Sequence, residues 1–244
     1  MYDIHCHLIP GVDDGADNLS ETIEMCLLAV KGGTRGIAAT PHCNIPKLFS
    51  NYWNDTFNDK IREIRKELAR RDIPLKIFTG QEIFLTGDVV GMLRRKELIT
   101  INNSRYVLVE LDPGEAASTA YQKLENLRAG GYVPIVAHPE RYGFFTRHRD
   151  AEEMIKSMGC LLQLNKSSLR GSYGPAARTV ALRLLDERMA DIVASDSHGP
   201  YERTPYMDDA FAAIADVTSY RYAEYLFETN PGRVLRDEDI LPYR

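Results

Sequence analysis

The sequence contains no apolar run that approaches the length of a membrane-spanning helix. Met1 leads directly into Tyr2-Asp3-Ile4-His5, without the basic, apolar and small-residue regions of a signal peptide. No Cys-x-x-Cys spacing is present, and nothing indicates a disulfide framework among Cys6, Cys26, Cys43 and Cys160. We therefore expect a cytoplasmic protein that does not insert into a membrane and whose cysteines are reduced and mostly buried.

Neither sign of charge dominates the 244-residue chain, whose formal net charge is −5. With 44% hydrophobic and 27% charged residues, its composition is that of an ordinary globular protein. The mixed-charge run Lys60–Asp72 is typical of the solvated face of a helix rather than of a basic stripe that binds nucleic acid. No low-complexity linker divides the chain, so we predict one domain over residues 1–244 and no nucleic-acid partner.

Short apolar runs alternate with longer helical patterns, which is typical of a parallel sheet with crossover helices. The predicted strands are Tyr2–His7, Gly36–Thr40, Leu75–Thr79, Tyr106–Leu111, Val133–Ala137, Cys160–Asn165 and Asp191–Ser195. Apolar residues at three- and four-residue spacing predict helices over Glu21–Lys31, Asp55–Arg71, Thr119–Ala129, Ala151–Met158 and Pro175–Glu187. We therefore predict an α/β fold that forms a single barrel.

The predicted first strand contains two histidines in an H-x-H pair. Side chains alternate along a strand, so Asp3, His5 and His7 should share one face, with Ile4 and Cys6 on the other. The histidines lie at the carboxyl end of the strand, where parallel α/β folds bind their ligands. Alone, the pair does not distinguish a metal site from chance.

Residues of the same kind end other predicted strands, and five of the six histidines lie at strand ends. Imidazole and carboxylate together suit zinc, manganese or iron, and one carboxylate can bridge two ions. This recurrence favours a metal site over separate core or surface residues. The strand-end residues are His42, Glu82, Glu110, His138, Asp196 and His198.

Two loops leave alternatives open. The turn Val12–Gly15 offers the carboxylates of Asp13 and Asp14 behind the first strand, but an Asp-Gly turn is also common without any function. The aromatic- and amide-rich segment Asn44–Asn54 either flanks the site or is a packed surface loop, which is the favoured interpretation.

Six segments together resemble the polymerase-and-histidinol-phosphatase (PHP) superfamily, and within it the bacterial tyrosine phosphatases of capsule and exopolysaccharide biosynthesis. The segments are DIHCHLIPGVDDGA, ATPHC, GQEIF, LVEL, AHPERY and ASDSHG, the last followed closely by Arg203. They are spread over almost the whole chain. The resemblance implies a distorted (β/α)7 TIM-like barrel, the PHP fold, in a single domain.

The resemblance also implies three divalent ions, with manganese the first expectation and iron or zinc the alternatives. One ion would be held by His5, His7, Glu82 and Asp196, a second by Glu82, Glu110 and His138, and a third by Asp14, His42 and His198. His148 lies outside the pattern, and we expect it at the surface. The implied partner is a phosphotyrosine protein, a bacterial tyrosine kinase, and the resemblance also admits a homo-oligomer.

Charge favours phosphate chemistry at such a site. Four carboxylates and three divalent ions with neutral histidines give about +2, which suits a phosphomonoester dianion. Metal ions lower the pKa of water, so a bridging hydroxide could attack phosphorus in line. Arg141 and Arg203, which follow His138 and His198 at short distances, would bind the phosphoryl oxygens, unless they are ordinary surface charges.

Other functions compete with this prediction. A cysteine phosphatase needs an arginine six positions after its cysteine, where this chain has Val12, Gly32, Phe49 and Lys166. Histidinol-phosphate hydrolysis is the nearest rival within the superfamily, and a metal-dependent amidohydrolase would share the H-x-H pair. A metal-stabilised regulatory module that binds a kinase is the alternative from a different class.

Overall fold

The computed structural model describes residues 1–240 and 242–243. Parallel strands alternate with helices along the chain, as the sequence predicts. The strands are β1 (Tyr2–Cys6), β2 (Gly36–Ala39), β3 (His42–Cys43), β4 (Lys76–Thr79), β5 (Glu82–Phe84), β6 (Tyr106–Glu110), β7 (Val133–Ala137), β8 (Leu161–Asn165) and β9 (Ile192–Ala194).

The α-helices pack outside the strands, and two of the longer ones begin at capping asparagines. Asn18 and Asn54 each accept a hydrogen bond from a backbone N–H in the first turn of the helix that follows. The helices are α1 (Leu19–Lys31), α2 (Asp55–Arg70), α3 (Val89–Arg94), α4 (Ala117–Ala129), α5 (Gly143–Arg147), α6 (Ala151–Ser157), α7 (Gly174–Asp186), α8 (Asp208–Val217), α9 (Tyr220–Glu224) and α10 (Asn230–Leu235). Among the residues described, no helix combines the length and apolar character needed to cross a bilayer.

The nine strands occupy seven positions in a ring. They pair in the orders β1-β2-β4 and β3-β5-β6-β7-β8-β9. Two residues separate β2 from β3, and two separate β4 from β5, so each pair is one strand with a break. Asp196 N–H donates to the His5 carbonyl at 2.9 Å, and His7 N–H donates to the Ser197 carbonyl at 2.9 Å, which brings the last position beside the first. The predicted α/β fold is confirmed, and the two breaks distort it.

Alternation along the strands separates two kinds of core. On β6, for example, Val107 and Val109 pack in the cluster that includes the α4 residue Leu124, whereas Leu108 packs with Ile135 of β7 in the interior cluster. Every second residue of a strand faces this interior. Toward the carboxyl ends of the strands these positions become polar, as at Glu110, two residues after Leu108 on β6. The ring therefore has an apolar interior that becomes polar at one end.

The predicted arrangement of β1 was wrong in one respect. The register of β1 against β2 shifts between Asp3 and Cys6, and such an irregularity interrupts strict alternation. Ile4 consequently packs in the interior cluster, while Cys6 packs in a different one. Asp3 does not join the histidines. Its buried carboxylate accepts hydrogen bonds from the Ser195 N–H at 3.1 Å and the Ser195 hydroxyl at 2.5 Å, which ties β1 to the end of β9.

The remaining differences concern short or late elements. Each predicted strand and helix exists, with ends that differ by at most two residues. The sequence predicts no element after Ser195, where α8, α9 and α10 lie, with a π-helical turn at Tyr225–Thr229. Pro231 lies in the first turn of α10, where proline is tolerated, and Gly232 follows it.

Candidate metal centre

The strand ends bring nine of the predicted side chains into one polar cluster. β1 contains His5, and His7 is the first residue after this strand. His42 and Glu82 are the first residues of β3 and β5. β6 ends at Glu110, His138 directly follows β7, Asp196 and His198 lie in the loop after β9, and Asp14 lies in the loop after β1. All nine lie close together: His5, His7, Asp14, His42, Glu82, Glu110, His138, Asp196 and His198.

Glu82 lies at the middle of this cluster and is completely buried. Its Oε2 atom is 3.3 Å from His5 Nε2, 3.3 Å from His7 Nε2 and 2.8 Å from His42 Nδ1. Its other oxygen, Oε1, is 2.9 Å from His138 Nε2. Burial opposes ionisation, but His5 and His42 hold the pKa of Glu82 well below its usual value, so the carboxylate is charged.

A second group lies at the more exposed side of the cluster. Asp14 Oδ1 is 3.4 Å from His198 Nε2 and 3.6 Å from His42 Nε2. The ring of His7 stacks beside the ring of His198, with 3.9 Å between centroids. Donor atoms of His7, Asp14, His42 and His198 all lie within 4.8 Å of one another, close enough to share one ion.

In two more groups the donor atoms also lie within 4.8 Å of one another. His5, His7 and Asp196 form one, and His42, Glu82 and Glu110 form the other. The sequence instead predicts His138 beside Glu82 and Glu110, and its Nε2 atom is indeed 2.9 Å and 3.7 Å from oxygens of these two residues. His42 thus faces two groups through its two ring nitrogens. The division of the nine ligands among three ions stays a prediction.

The hydrogen bonds of the His5 and His7 rings show that a cation suits the cluster. His5 Nδ1 lies 2.7 Å from Gln163 Oε1, and His7 Nδ1 lies 2.8 Å from Asp13 Oδ2. Both partners are acceptors, so each Nδ1 carries a proton and each neutral ring presents a lone pair at Nε2. These two Nε2 atoms are only 3.2 Å apart. Two lone pairs at that distance need a proton or a metal ion between them.

Other candidate ligand atoms lie close together without forming hydrogen bonds of normal geometry. Glu82 Oε2, His42 Nδ1 and His198 Nε2 are buried and form no hydrogen bond of normal geometry, despite close neighbours of complementary charge. A buried polar atom without a hydrogen bond is costly. Nitrogen and carboxylate oxygen are also the ligands that manganese, iron and zinc accept. The residues therefore fit a cluster of divalent cations.

In the absence of metal, protons neutralise the cluster. Burial disfavours a charge on His5, but Glu82 and Asp196 outweigh it and raise the His5 pKa to about 9. Burial likewise opposes the charge of His42, yet Glu82 and Glu110 raise its pKa to about 10. Burial and the charge of Glu82 raise the pKa of Glu110 to about 7. Metal binding near neutral pH must therefore displace protons from these side chains.

Gln163 and Asn165 on β8 are site residues that the sequence analysis missed. Both are fully buried, and the Gln163 amide donates to Asn165 Oδ1 at 3.0 Å while its oxygen faces His5. Asn165 Nδ2 in turn donates to Asp196 Oδ2 at 2.5 Å. Such partners fix the tautomer and orientation of metal ligands. A signal existed in the sequence, because polar Gln163 and Asn165 alternate with apolar Leu162 and Leu164.

Asp13 orients the first loop rather than facing the centre of the cluster. Besides its contact with His7, it accepts hydrogen bonds from the backbone N–H of Gly15 at 3.0 Å and of His42 at 2.9 Å. A Cβ atom at Gly15 would lie 2.0 Å from the His7 carbonyl oxygen, so only glycine fits there. The Asp-Asp-Gly turn therefore serves the site, and both of its carboxylates contribute.

The turn after β7 carries the first predicted arginine. His138 has a positive φ of 35°, which is uncommon for a residue with a side chain and turns the chain sharply into the short helix Pro139–Arg141. The buried Glu140 carboxylate accepts hydrogen bonds from Asn165 N–H at 3.0 Å and the Ser168 hydroxyl at 2.6 Å. Glu140 was not predicted, yet it fixes this turn against the end of β8.

Both predicted arginines reach the cluster from its edge, at the same carboxylate oxygen. Arg203 approaches Asp196 Oδ2 to 2.6 Å, and Arg141 approaches it to 3.8 Å. Each side chain is about one-third exposed, at 34% and 32%. The guanidinium groups are therefore at the mouth of the site rather than at a remote surface.

Three further predictions have clear outcomes. The segment Asn44–Asn54 flanks the site, contrary to the favoured interpretation of a packed surface loop, because the Phe49 ring stacks on the His42 ring with 5.7 Å between centroids. His148 is exposed and away from the cluster. All four cysteines are free and buried, and burial raises the pKa of Cys6 and Cys43 well above the ordinary value. A reactive thiolate is therefore not a feature of this site.

Comparison with known proteins finds one matching family model and several similar bacterial proteins. The profile of the family described as capsular polysaccharide synthesis, CpsB/CapC, matches residues 1–236. The chain is 31% identical to the tyrosine-protein phosphatase YwqE of Bacillus subtilis, over 98% of this chain and 93% of that one. It is 34% identical to the putative tyrosine-protein phosphatase CapC of Staphylococcus aureus, over 85% and 80% of the two chains.

Solved structures agree in fold. A structure from a study of YwqE from Bacillus subtilis and CpsB from Streptococcus pneumoniae, described as unique metal-dependent tyrosine phosphatases, superposes with a TM-score of 0.92 at 31% identity, covering 100% of this chain and 97% of that one. A lactonase from Listeria monocytogenes superposes with a TM-score of 0.64 at 12% identity, over 98% and 95% of the chains. The second match shows a shared fold alone.

The amide network under His5 gives a first prediction. Gln163→Leu removes the acceptor for His5 Nδ1–H and the donor to Asn165, so the imidazole loses its fixed tautomer. We expect metal affinity to fall by about tenfold to a hundredfold, measured by titration of the metal-free protein with manganese. Gln122→Leu, on the exposed side of α4, is the control and should bind metal like the parent. Parent-like affinity in Gln163→Leu would mean that the network does not support the centre.

Proposed function

This chain belongs to the CpsB/CapC family of capsular polysaccharide synthesis, and from that premise we propose that it is a metal-dependent tyrosine-protein phosphatase. The observation that carries the proposal is the cluster of histidines and carboxylates with two arginines at its mouth. Relatives at 31% identity over almost their whole length are tyrosine-protein phosphatases by name. The solved relative is metal-dependent.

We assign nine side chains as ligands of three divalent ions, with manganese favoured and iron or zinc as alternatives. The ligands are His5, His7, Asp14, His42, Glu82, Glu110, His138, Asp196 and His198. When bound, such ions activate water and neutralise charge on a phosphoryl group. Glu82 is the bridge in this assignment, since histidines lie close to both of its oxygens.

Arg141 and Arg203 bind the phosphoryl group of the substrate in this proposal. Asp196 keeps one oxygen toward His5 and His7 and the other toward the two guanidinium groups. A phosphate at the cluster would therefore meet the N–H donors of both arginines on one side. Arginine presents a planar fork of donors that matches phosphate oxygens, and it keeps its charge at any working pH.

The substrate class follows from the family. We propose that the substrate is a phosphotyrosine protein, specifically a bacterial tyrosine kinase that acts in capsule or exopolysaccharide biosynthesis. Residues 1–244 would act as one cytoplasmic domain, and self-association into a homo-oligomer is compatible with this role.

A direct assay tests the proposed function. Manganese-reconstituted protein should hydrolyse a phosphotyrosine peptide with a higher kcat/KM than a phosphoserine peptide or histidinol phosphate. Chelation should abolish the activity and manganese should restore it, because the nine ligands supply the reaction centre. Thiol alkylation of the folded protein should have little effect, since the four cysteines are buried.

Full activity after verified metal removal would contradict the mechanism. Preference for histidinol phosphate would instead keep the mechanism and change the substrate class. Normal metal content without hydrolysis of any of the three phosphomonoesters would favour a binding module for a phosphoprotein.

The arginines give another prediction. Arg141→Ala should lower kcat/KM for the phosphotyrosine peptide by about tenfold to a hundredfold, because each charge-assisted hydrogen bond is worth roughly 1.5–3 kcal/mol. Arg203→Ala should cost at least as much and also weaken metal binding, since Arg203 contacts a ligand carboxylate at 2.6 Å. Lysine at either position should recover part of the loss.

Arg170→Ala removes an exposed arginine that pairs with Asp209, and it serves as the control. Both control and parent should behave alike in the assay. Parent-like kcat/KM in Arg141→Ala and Arg203→Ala would show that these arginines are ordinary surface charges and would contradict the substrate site.

A further inference from the structure

Tyr173 lies beside both arginines and has no role in the centre described so far. The guanidinium carbon of Arg141 is 4.9 Å from the centroid of its ring, and that of Arg203 is 6.0 Å away. Both distances are within the range of cation–π contacts. The two groups that reach Asp196 therefore share one aromatic neighbour.

The backbone holds Tyr173 in a sharply turned segment. Gly171 and Gly174 on either side of it have positive φ values of 83° and 89°, which side chains rarely adopt. Pro175 follows in the first turn of α7. The turn therefore fixes the backbone position of Tyr173 at the start of α7. In the sequence the segment reads only as Gly and Pro punctuation.

The stacked arrangement leaves the arginines available to a ligand. A guanidinium group that lies over an aromatic ring contacts the ring through the guanidinium face. The N–H donors, which lie along the edges of the guanidinium group, remain available. The ring of Tyr173 can thus restrict the arginines without competing for the hydrogen bonds that an anion needs. Asp196 occupies only one side of this arrangement.

The hydroxyl of Tyr173 is the less expected feature. It is buried, and its interaction with the Asn165 side chain is not a hydrogen bond of normal geometry. A phenol hydroxyl keeps its proton near neutral pH and can donate it in a hydrogen bond. A buried hydroxyl without a hydrogen bond of normal geometry costs stability, and a bound ligand would remove that cost.

We propose that Tyr173 is a third phosphoryl-binding residue, whose ring holds Arg141 and Arg203 and whose hydroxyl donates a hydrogen bond to an oxygen of the bound phosphoryl group. The inference rests on the proposed function, because it adds a residue to the same anion site. It concerns binding of the anion, and Tyr173 is not one of the nine assigned metal ligands.

Tyr173→Phe tests the inference, because it removes the hydroxyl and keeps the ring beside both arginines. The dissociation constant of inorganic phosphate for the manganese-loaded protein should rise about threefold to tenfold, the loss expected for one hydrogen bond. The kcat/KM for a phosphotyrosine peptide should fall by a similar factor. Metal content should be unchanged, and the unfolding midpoint should stay close to that of the parent, because the lost hydroxyl forms no hydrogen bond of normal geometry in the free protein.

Tyr2→Phe is the matched control, since Arg35 lies 5.2 Å over the Tyr2 ring. This tyrosine begins β1, at the end opposite the metal centre, so phosphate binding should not change. Tyr173→Leu, which also removes the ring, should weaken phosphate binding more than Tyr173→Phe does.

Parent-like phosphate affinity in Tyr173→Phe would overturn the inference, as would a parent protein that does not bind phosphate. Reduced phosphate affinity together with a lower unfolding midpoint or lower metal content would assign a structural role and overturn it too. If Tyr173→Phe binds phosphate weakly but the parent hydrolyses no phosphotyrosine peptide, the inference stands and the proposed function fails. The measurements therefore distinguish failure of the role inferred for Tyr173 from failure of the proposed function.

Discussion

The arrangement depends on one buried carboxylate, that of Glu82. It is fully buried at the end of the apolar interior, and imidazoles of His5, His7, His42 and His138 lie within 3.3 Å of it. An ionised carboxylate in that position is stable only with positive charge around it, whether from protons or from metal ions. Because several strands supply that charge, the ring of strands and the metal centre support each other.

Around this carboxylate the side chains form three layers with different tasks. Asp13 and Gln163 fix the tautomers of His7 and His5, so that both present Nε2 toward the same point. The ligands then surround the proposed ions, and the arginines lie outside them at the mouth. Asp196 connects the layers, since one of its oxygens faces the histidines and the other faces Arg203. A substitution of an arginine at the mouth should therefore also change metal binding.

Much of the fold and of the ligand set follows from local patterns. Strand periodicity predicted seven positions, and polar residues at strand ends such as Glu110 and His138 marked the centre. What the sequence could not show depends on contacts between distant segments. The alternation of Gln163 and Asn165 with leucines is visible in the sequence, but their partners His5 and Asp196 are brought beside them only by the fold. Tyr173 likewise meets both arginines only in the folded chain. The irregular register of β1 also escaped prediction, because a shift between neighbouring strands leaves no local signal.

The most direct test of the account is the number of manganese ions that the protein binds with and without the Glu82 carboxylate. Native mass spectrometry and elemental analysis would compare the parent with Glu82→Ala, using Glu97→Ala at an exposed position as the control. The account predicts three ions in the parent and in the control, and the loss of at least two ions in Glu82→Ala, because the proposed bridge serves two of them. Three ions and normal turnover in Glu82→Ala would contradict the account.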